Sequence, residues 1–125
     1  MSRILIVDDD PAVGRLIGTL LKFEGHDSCQ ATDLYEGMQM LRVWQPEVVL
    51  LDLSLGRQDG RELYAKARED GIEVPFIVVS AYGARRASEE MGCDGWLDKP
   101  FEIDTLLAKV QEVTPTIENG SRPSD

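Results

Sequence analysis

The chain lacks most of what is needed to grip a polyanion, cross a bilayer or staple itself with disulfides. Lys and Arg number 13 against 23 Asp and Glu, a net charge of −10. An excess of that size repels phosphate backbones and anionic lipid, so neither direct nucleic-acid binding nor membrane binding is expected. Cysteine is almost absent: Cys29 and Cys93 stand alone, with no CxxC and no histidine at ligand spacing. They make no disulfide framework and read as small packed side chains. His26, the one histidine, falls at a helix-to-strand turn, where we expect it exposed and without a role. No apolar run approaches the ~20 residues that span a bilayer, and no signal-peptide pattern opens the sequence, so a reduced, cytoplasmic setting is expected.

What the sequence does have is alternation. Runs "ILIV" (4–7), "VVLL" (48–51) and "FIVV" (76–79) are short and rich in β-branched residues, as fully buried parallel strands should be. "DSCQA" (27–31) and "GWLD" (95–98) are more polar strand candidates. Between the runs lie helical patterns. Val13, Leu16, Ile17, Leu20 and Leu21 share one helical face, and Gly25 ends that helix. Asp33 and Glu36 have capping-box spacing ahead of Leu34, Met38 and Leu41, with Pro46 closing the unit. Asp59 and Glu62 repeat that spacing ahead of Leu63 and Ala67. A short helix is expected over Ala84–Met91, and a last one carries Ile103, Leu106, Leu107 and Val110.

Strands that alternate with helices give a parallel sheet covered on both faces. With the three most apolar strands central and the two polar ones at the edges, the order 2-1-3-4-5 follows. This is an α/β, flavodoxin-like, doubly wound (βα)5 fold. Residues 1–113 make one domain, and the polar stretch 114–125, "TPTIENGSRPSD", reads as a disordered tail or a cut linker.

In such a sheet all the C-terminal strand ends lie on one edge. The first strand ends in Asp8, Asp9 and Asp10, the third in Asp52, the fourth in Ser80 and the fifth in Lys99. Asp10 before Pro11 is explained by helix capping alone. Asp8, Asp9 and Asp52 are not, because capping does not say why they share an edge. Several carboxylates a few ångströms apart stay ionised only around a positive charge, and hard oxygen ligands in a small gap suit Mg²⁺. Lys99 and Ser80 supply an ammonium and a hydroxyl beside Asp52, a layout for phosphoryl transfer to a carboxylate nucleophile.

With "ILIVDDD", "VVLLDLSLGRQDG", "VVSA" and "DKPF" in this order, the sequence resembles the receiver domain of two-component response regulators over Ser2 to Val113. The resemblance implies that Asp52 is the phosphoacceptor. It implies that Asp9 binds Mg²⁺ directly, Asp8 largely through water, and that the Ser54 backbone carbonyl completes the protein ligands. Ser80 would hydrogen-bond the phosphoryl group, Lys99 would pair with it, and Trp96 would stand where the family's switch aromatic does. A cis Lys99–Pro100 bond is expected on the same ground. Three positions depart from the usual pattern: Gly56 replaces a frequent Pro, the Ser80-to-Lys99 span is about one helical turn short, and Tyr82 is bulky where water access is tuned. Tyr82 and Ser54 are therefore expected to set a slow to moderate loss of the phosphoryl group.

The implied partners are a sensor histidine kinase or histidine phosphotransfer protein as donor, and a downstream protein or a missing effector domain as output. A homodimer formed on phosphorylation is a further outcome the resemblance allows. Turnover of a free substrate is not expected. Two other readings compete. One is an aspartate-nucleophile phosphohydrolase of the haloacid dehalogenase type, against which stand the consecutive acids of strand one and the lack of room for a cap. The other is a module that keeps the fold without the switch, against which stands the complete set of acids, hydroxyl and lysine.

Overall fold

A computed structural model describes residues 2–114. Seven strands and five helices follow one another as β1 (Arg3–Val7), α1 (Pro11–Phe23), β2 (Asp27–Ala31), α2 (Leu34–Val43), β3 (Val48–Asp52), β4 (Ser54–Leu55), β5 (Gln58–Asp59), α3 (Arg61–Glu69), β6 (Phe76–Ser80), α4 (Ala84–Met91), β7 (Gly95–Asp98) and α5 (Ile103–Val113). The main sheet is parallel, in the order β2-β1-β3-β6-β7. Counting its own strands only, this is the expected 2-1-3-4-5, with the polar strands β2 and β7 at the edges. The expected tail lies, from residue 115 on, outside the described residues.

Period-two alternation along the strands sorts the core into two layers. Ile4, Ile6, Val48, Leu50, Ile77 and Val79 face Ile17 and Leu21 of α1 and Leu106 and Val110 of α5. Leu5, Val7, Val49, Leu51 and Phe76 face Met38 and Leu41 of α2 and Leu63 and Ala67 of α3. Val78 meets Ala84 and Ala87 of α4. Because β1, β3 and most of β6 are buried on both faces, their sequences are continuous apolar runs. Each fully buried Leu or Ile there is worth roughly 1.5–3 kcal/mol over an exposed one.

Local chemistry sets the helix ends. The Asp10 carboxylate accepts from the Ala12 N–H at 2.9 Å and caps α1, with Pro11 as the first helical residue. Asp33 accepts from the Glu36 N–H at 2.8 Å, but Glu36 returns its bond to Thr32 rather than to Asp33. The repeat of this motif at Asp59 does not form. Asp59 belongs to β5, its carboxylate accepts from the Arg61 N–H, and α3 starts after Gly60 with no side-chain cap. The α1 stripe also differs from expectation. Its buried line runs Gly14–Ile17–Leu21, and Leu16, about 100° around the helix from Ile17, is 60 % exposed. His26 is half-buried rather than exposed, because its ring Nδ1 accepts a hydrogen bond from the Ser2 N–H at 3.3 Å. Burial holds its pKa below the usual value. Among the described residues no helix is long and apolar enough to cross a membrane.

Candidate phosphoryl-acceptor site

Strand register builds the site. Val7 lies opposite Leu51, so the next residues, Asp8 and Asp52, emerge side by side from neighbouring strands. Asp52 lies opposite Val79, and Ser80 opposite Asp98, so Lys99 leaves the sheet one residue beyond the Ser80 level. One oxygen each from Asp8, Asp9 and Asp52 lies within 4.8 Å of the others. Asp8 is 6 % and Asp52 7 % exposed, so their mutual repulsion is poorly screened by water, whereas Asp9 is exposed.

Lys99 answers that repulsion. Its Nζ donates to Asp52 Oδ2 at 2.6 Å and to Asp8 Oδ2 at 3.3 Å. Burial alone would lower the Lys99 pKa, but the hydrogen bond to Asp52 and the charges of Asp52 and Asp8 outweigh it and raise it. Asp8 is pushed up by burial, against a backbone hydrogen bond and Lys99, which favour its charged form. Each of the three acids also receives one backbone N–H. Asp10 donates to Asp8 Oδ1 at 2.9 Å, Ser54 to Asp52 Oδ1 at 2.9 Å, and Gly56 to Asp9 Oδ2 at 3.0 Å. The Lys99–Pro100 peptide is cis, as the resemblance implied.

The donor set fits a small hard cation. Opposite ligands of Mg²⁺ stand about 4.2 Å apart, twice its bond length to oxygen, and these three oxygens lie within 4.8 Å of one another, so modest side-chain shifts would bring them onto one ion. One ammonium among three carboxylates also leaves negative charge for a cation to neutralise.

Other expected participants are placed less directly. The Ser80 hydroxyl donates to the Tyr82 carbonyl at 2.9 Å and accepts from the Tyr82 N–H at 3.2 Å, so it is committed to its own loop rather than to Asp52. Tyr82 is 91 % exposed. Trp96 is half-buried on β7, with Lys109 Nζ 5.6 Å from its ring centroid. Neither cysteine approaches the acids in character. Burial raises both thiols, Cys93 to about 12, which leaves them protonated and inert.

Two features of the loop after Asp52 escaped the sequence reading. One is the β4–β5 hairpin, with Ser54 opposite Asp59 and Leu55 opposite Gln58. The other is Gly60, where a Cβ would stand 2.4 Å from the Asp52 carbonyl oxygen and 2.9 Å from Leu53 Cα. No side chain fits there without displacing the backbone of Asp52. Gly60→Ala is therefore expected to cost about 1–3 kcal/mol in urea unfolding, as overpacking does, and to shift Asp52 from its place beside Lys99. An unchanged unfolding midpoint would contradict the close approach. "DG" after "GRQ" was the available signal for a turn, but nothing in it marked contact with Asp52.

Comparison with known proteins agrees with this geometry. Residues 4–111 match the model of the response regulator receiver domain. The chain is 34 % identical over 116 residues to the DNA-binding dual master transcriptional regulator RpaA of Synechocystis sp., covering 89 % of this chain and 48 % of the relative. It is 35 % identical over 112 residues to response regulator MprA of Mycobacterium ulcerans, covering 87 % and 48 %. The chain thus spans about half the length of these curated relatives. Among solved structures, the receiver domain of Francisella response regulator 1452 superposes with TM-score 0.82 at 28 % identity, covering 90 % of this chain and 96 % of that one. A CheY-like receiver domain protein from Methanospirillum hungatei superposes with TM-score 0.81 at 31 % identity, covering 90 % and 92 %. Receiver domains of this kind are phosphorylation-dependent signalling switches rather than free-substrate enzymes, and this chain belongs to the response regulator receiver family.

Proposed function

We propose that residues 1–113 accept a phosphoryl group on Asp52 from the phosphohistidine of a sensor kinase or phosphotransfer protein, and pass the change to an output surface. The observation that carries this is the convergence of Asp8, Asp9, Asp52 and Lys99, from three different strand ends, within hydrogen-bonding or metal-ligand distance. Asp9, Asp52 and the Ser54 carbonyl would hold Mg²⁺ directly, with Asp8 through water. Bound there, Mg²⁺ supplies positive charge against the phosphoryl oxygens. An Asp52 carboxylate oxygen forms the bond to phosphorus as the donor's nitrogen–phosphorus bond breaks, and the leaving imidazole is the group that takes up a proton.

The acquired charge of about −1.5 to −2 gives Lys99 a stronger partner than the acids it now bridges. It also gives the Ser80 hydroxyl an acceptor better than the Tyr82 carbonyl. The Ser80–Tyr82 turn then opens, and Trp96 on the neighbouring edge strand repacks. The functional change is a shift between two loop arrangements, not a reaction on a free substrate. A cytoplasmic location goes with this donor. Output goes to a downstream protein, to an effector domain of a longer parent, or through a homodimer formed on phosphorylation. The net charge of −10 disfavours a nucleic-acid contact by this domain itself, which leaves any such contact to an effector.

Incubation with Mg²⁺ and acetyl phosphate tests the proposal. One phosphoryl group per chain, mapped to Asp52 by peptide mass spectrometry, is the expected result. Continuous turnover of a phosphate ester would instead support a phosphohydrolase, and no modification of the folded chain would support a module without a switch. Hydrolysis of the acyl phosphate is expected to be tuned by Ser54 and Tyr82. Tyr82→Ala should lose the group several-fold faster, by about 1 kcal/mol of barrier. An unchanged half-life removes Tyr82 from that role.

A further inference from the structure

Asp8 and Asp10 have their side chains occupied, by Lys99 and by the start of α1 respectively. Asp9, between them, is exposed, and among the described residues it forms no ion pair. Its carboxylate is instead met from across the site by the N–H of Gly56, 47 residues away in sequence, at 3.0 Å. We propose that the β4–β5 hairpin is a strap whose turn residue, Gly56, is a positioning residue for the metal ligand Asp9. The inference rests on the Mg²⁺ site proposed above.

Ladders of two residues per strand do not persist unaided. This one is fastened on three sides. Leu55 is buried, 3 % exposed, in the layer beneath α2 and α3. The Gly60 N–H closes the loop onto the Leu53 carbonyl at 2.8 Å. The Gln58 side-chain oxygen accepts the N–H of Leu34, the first residue of α2, at 3.0 Å. The turn at Gly56 and Arg57 is therefore presented from a fixed base, and Gly56 reaches Asp9 with a φ of +64°.

That conformation and that donor together restrict position 56. Proline has no N–H and cannot adopt a positive φ. Alanine keeps the donor and meets only Asp9 Oδ2, at an ordinary 3.9 Å, but is strained by the backbone. Donor and backbone can thus be separated by experiment. An exposed carboxylate samples several rotamers, and one held by a charge-assisted hydrogen bond does not. Holding Asp9 in place before the ion arrives removes that ordering cost from binding.

The test uses the full chain with glycolic acid in place of Gly56. This exchanges the amide N–H for an ester oxygen and leaves the chain at position 56 without a side chain. Calorimetric titration with Mg²⁺ should show affinity about tenfold weaker than in the unsubstituted chain, the lower end of what loss of an outer hydrogen-bond partner costs a metal site. Gly56→Ala keeps the donor but strains the backbone that aims it, so it should weaken Mg²⁺ binding less than the ester does while melting at a lower temperature. Equal or tighter binding by the ester variant overturns the inference, as does equal weakening in Gly56→Ala. If the unsubstituted chain itself gives no Mg²⁺ heat, the metal reading fails as well.

A second measurement needs neither the ester nor the ion. Hydrogen exchange at the Gly56 amide should be slow in the unsubstituted chain and at least about tenfold faster in Asp9→Ala, since loss of one such bond is worth that factor. Equal exchange in the two also overturns it.

Discussion

Asp52→Asn is expected to abolish phosphorylation without unfolding the domain. An amide has no anionic oxygen to attack phosphorus, and neither neighbour can replace it. Asp8 is tied to Lys99 and the Asp10 N–H, and Asp9 is held by Gly56. The substitution keeps the shape and one acceptor oxygen, so it keeps one of the two bonds that Asp52 now accepts, from Ser54 on Oδ1 at 2.9 Å or from Lys99 on Oδ2 at 2.6 Å. It also removes one of three like charges from the cluster. The lost ion pair and the relieved repulsion oppose each other, so unfolding in Mg²⁺-free buffer should stay within about 1 kcal/mol of the parent. Intact-mass spectrometry after exposure to acetyl phosphate and Mg²⁺ checks the first claim, and urea denaturation the second. Persistent modification at an unchanged level would move the acceptor to another residue.

That the loss can be expected at this position at all follows from how the sequence encodes a parallel sheet. Apolar runs that stop at an acid, a serine or a lysine mark strand ends, and alternation with helices puts all those ends on one edge. Asp8, Asp52 and Lys99 could be brought together with no knowledge of register, because the order 2-1-3-4-5 sets β1 beside β3. The side chains' present partners were less legible. Ser80 sits at the expected strand end, yet its hydroxyl turns to the Tyr82 backbone, an option that short hydroxyl side chains always have and that no spacing reveals. The hairpin after Asp52 was missed because "SLGRQDG" has no strand period. Its pairing is imposed from outside, by Leu55 in the core, Gly60 against Asp52 and Gln58 on α2. Asp59 shows the same override, since a residue with capping-box spacing became the end of a strand. In the hairpin and at Asp59 tertiary contact outweighed a local preference worth about 1 kcal/mol.

Lys99→Ala should have the largest effect on stability, and an opposite effect on metal affinity. Among the described residues the ammonium is the one cation bridging Asp8 and Asp52, both more than nine-tenths buried. Its removal leaves two carboxylates that water screens poorly, and breaking such a pair from one side costs about 3–5 kcal/mol. At neutral pH without Mg²⁺ the melting temperature should fall by about 10 °C or more. Acid should relieve the variant. Asp8 already has a raised folded pKa, so the native state holds that proton more tightly than the unfolded chain, and stability recovers as pH falls through the folded value toward 3.8. In the unsubstituted protein the Lys99 contribution has the same direction with pH but lies in an alkaline window. With a folded pKa above 10.5 it is full below that value and lost as pH rises through the folded one. Mg²⁺ should also restore the variant, in proportion to ln(1 + [Mg²⁺]/Kd). Because no ammonium then competes for Asp8 and Asp52, Kd should be lower than in the parent, while the ion pair to an arriving phosphoryl group is gone. A variant that melts like its parent at neutral pH without Mg²⁺, or that binds the ion more weakly, would show that Lys99 does not hold these acids together. Tighter binding with lower stability would show that the lysine occupies the cation's place until the cation comes.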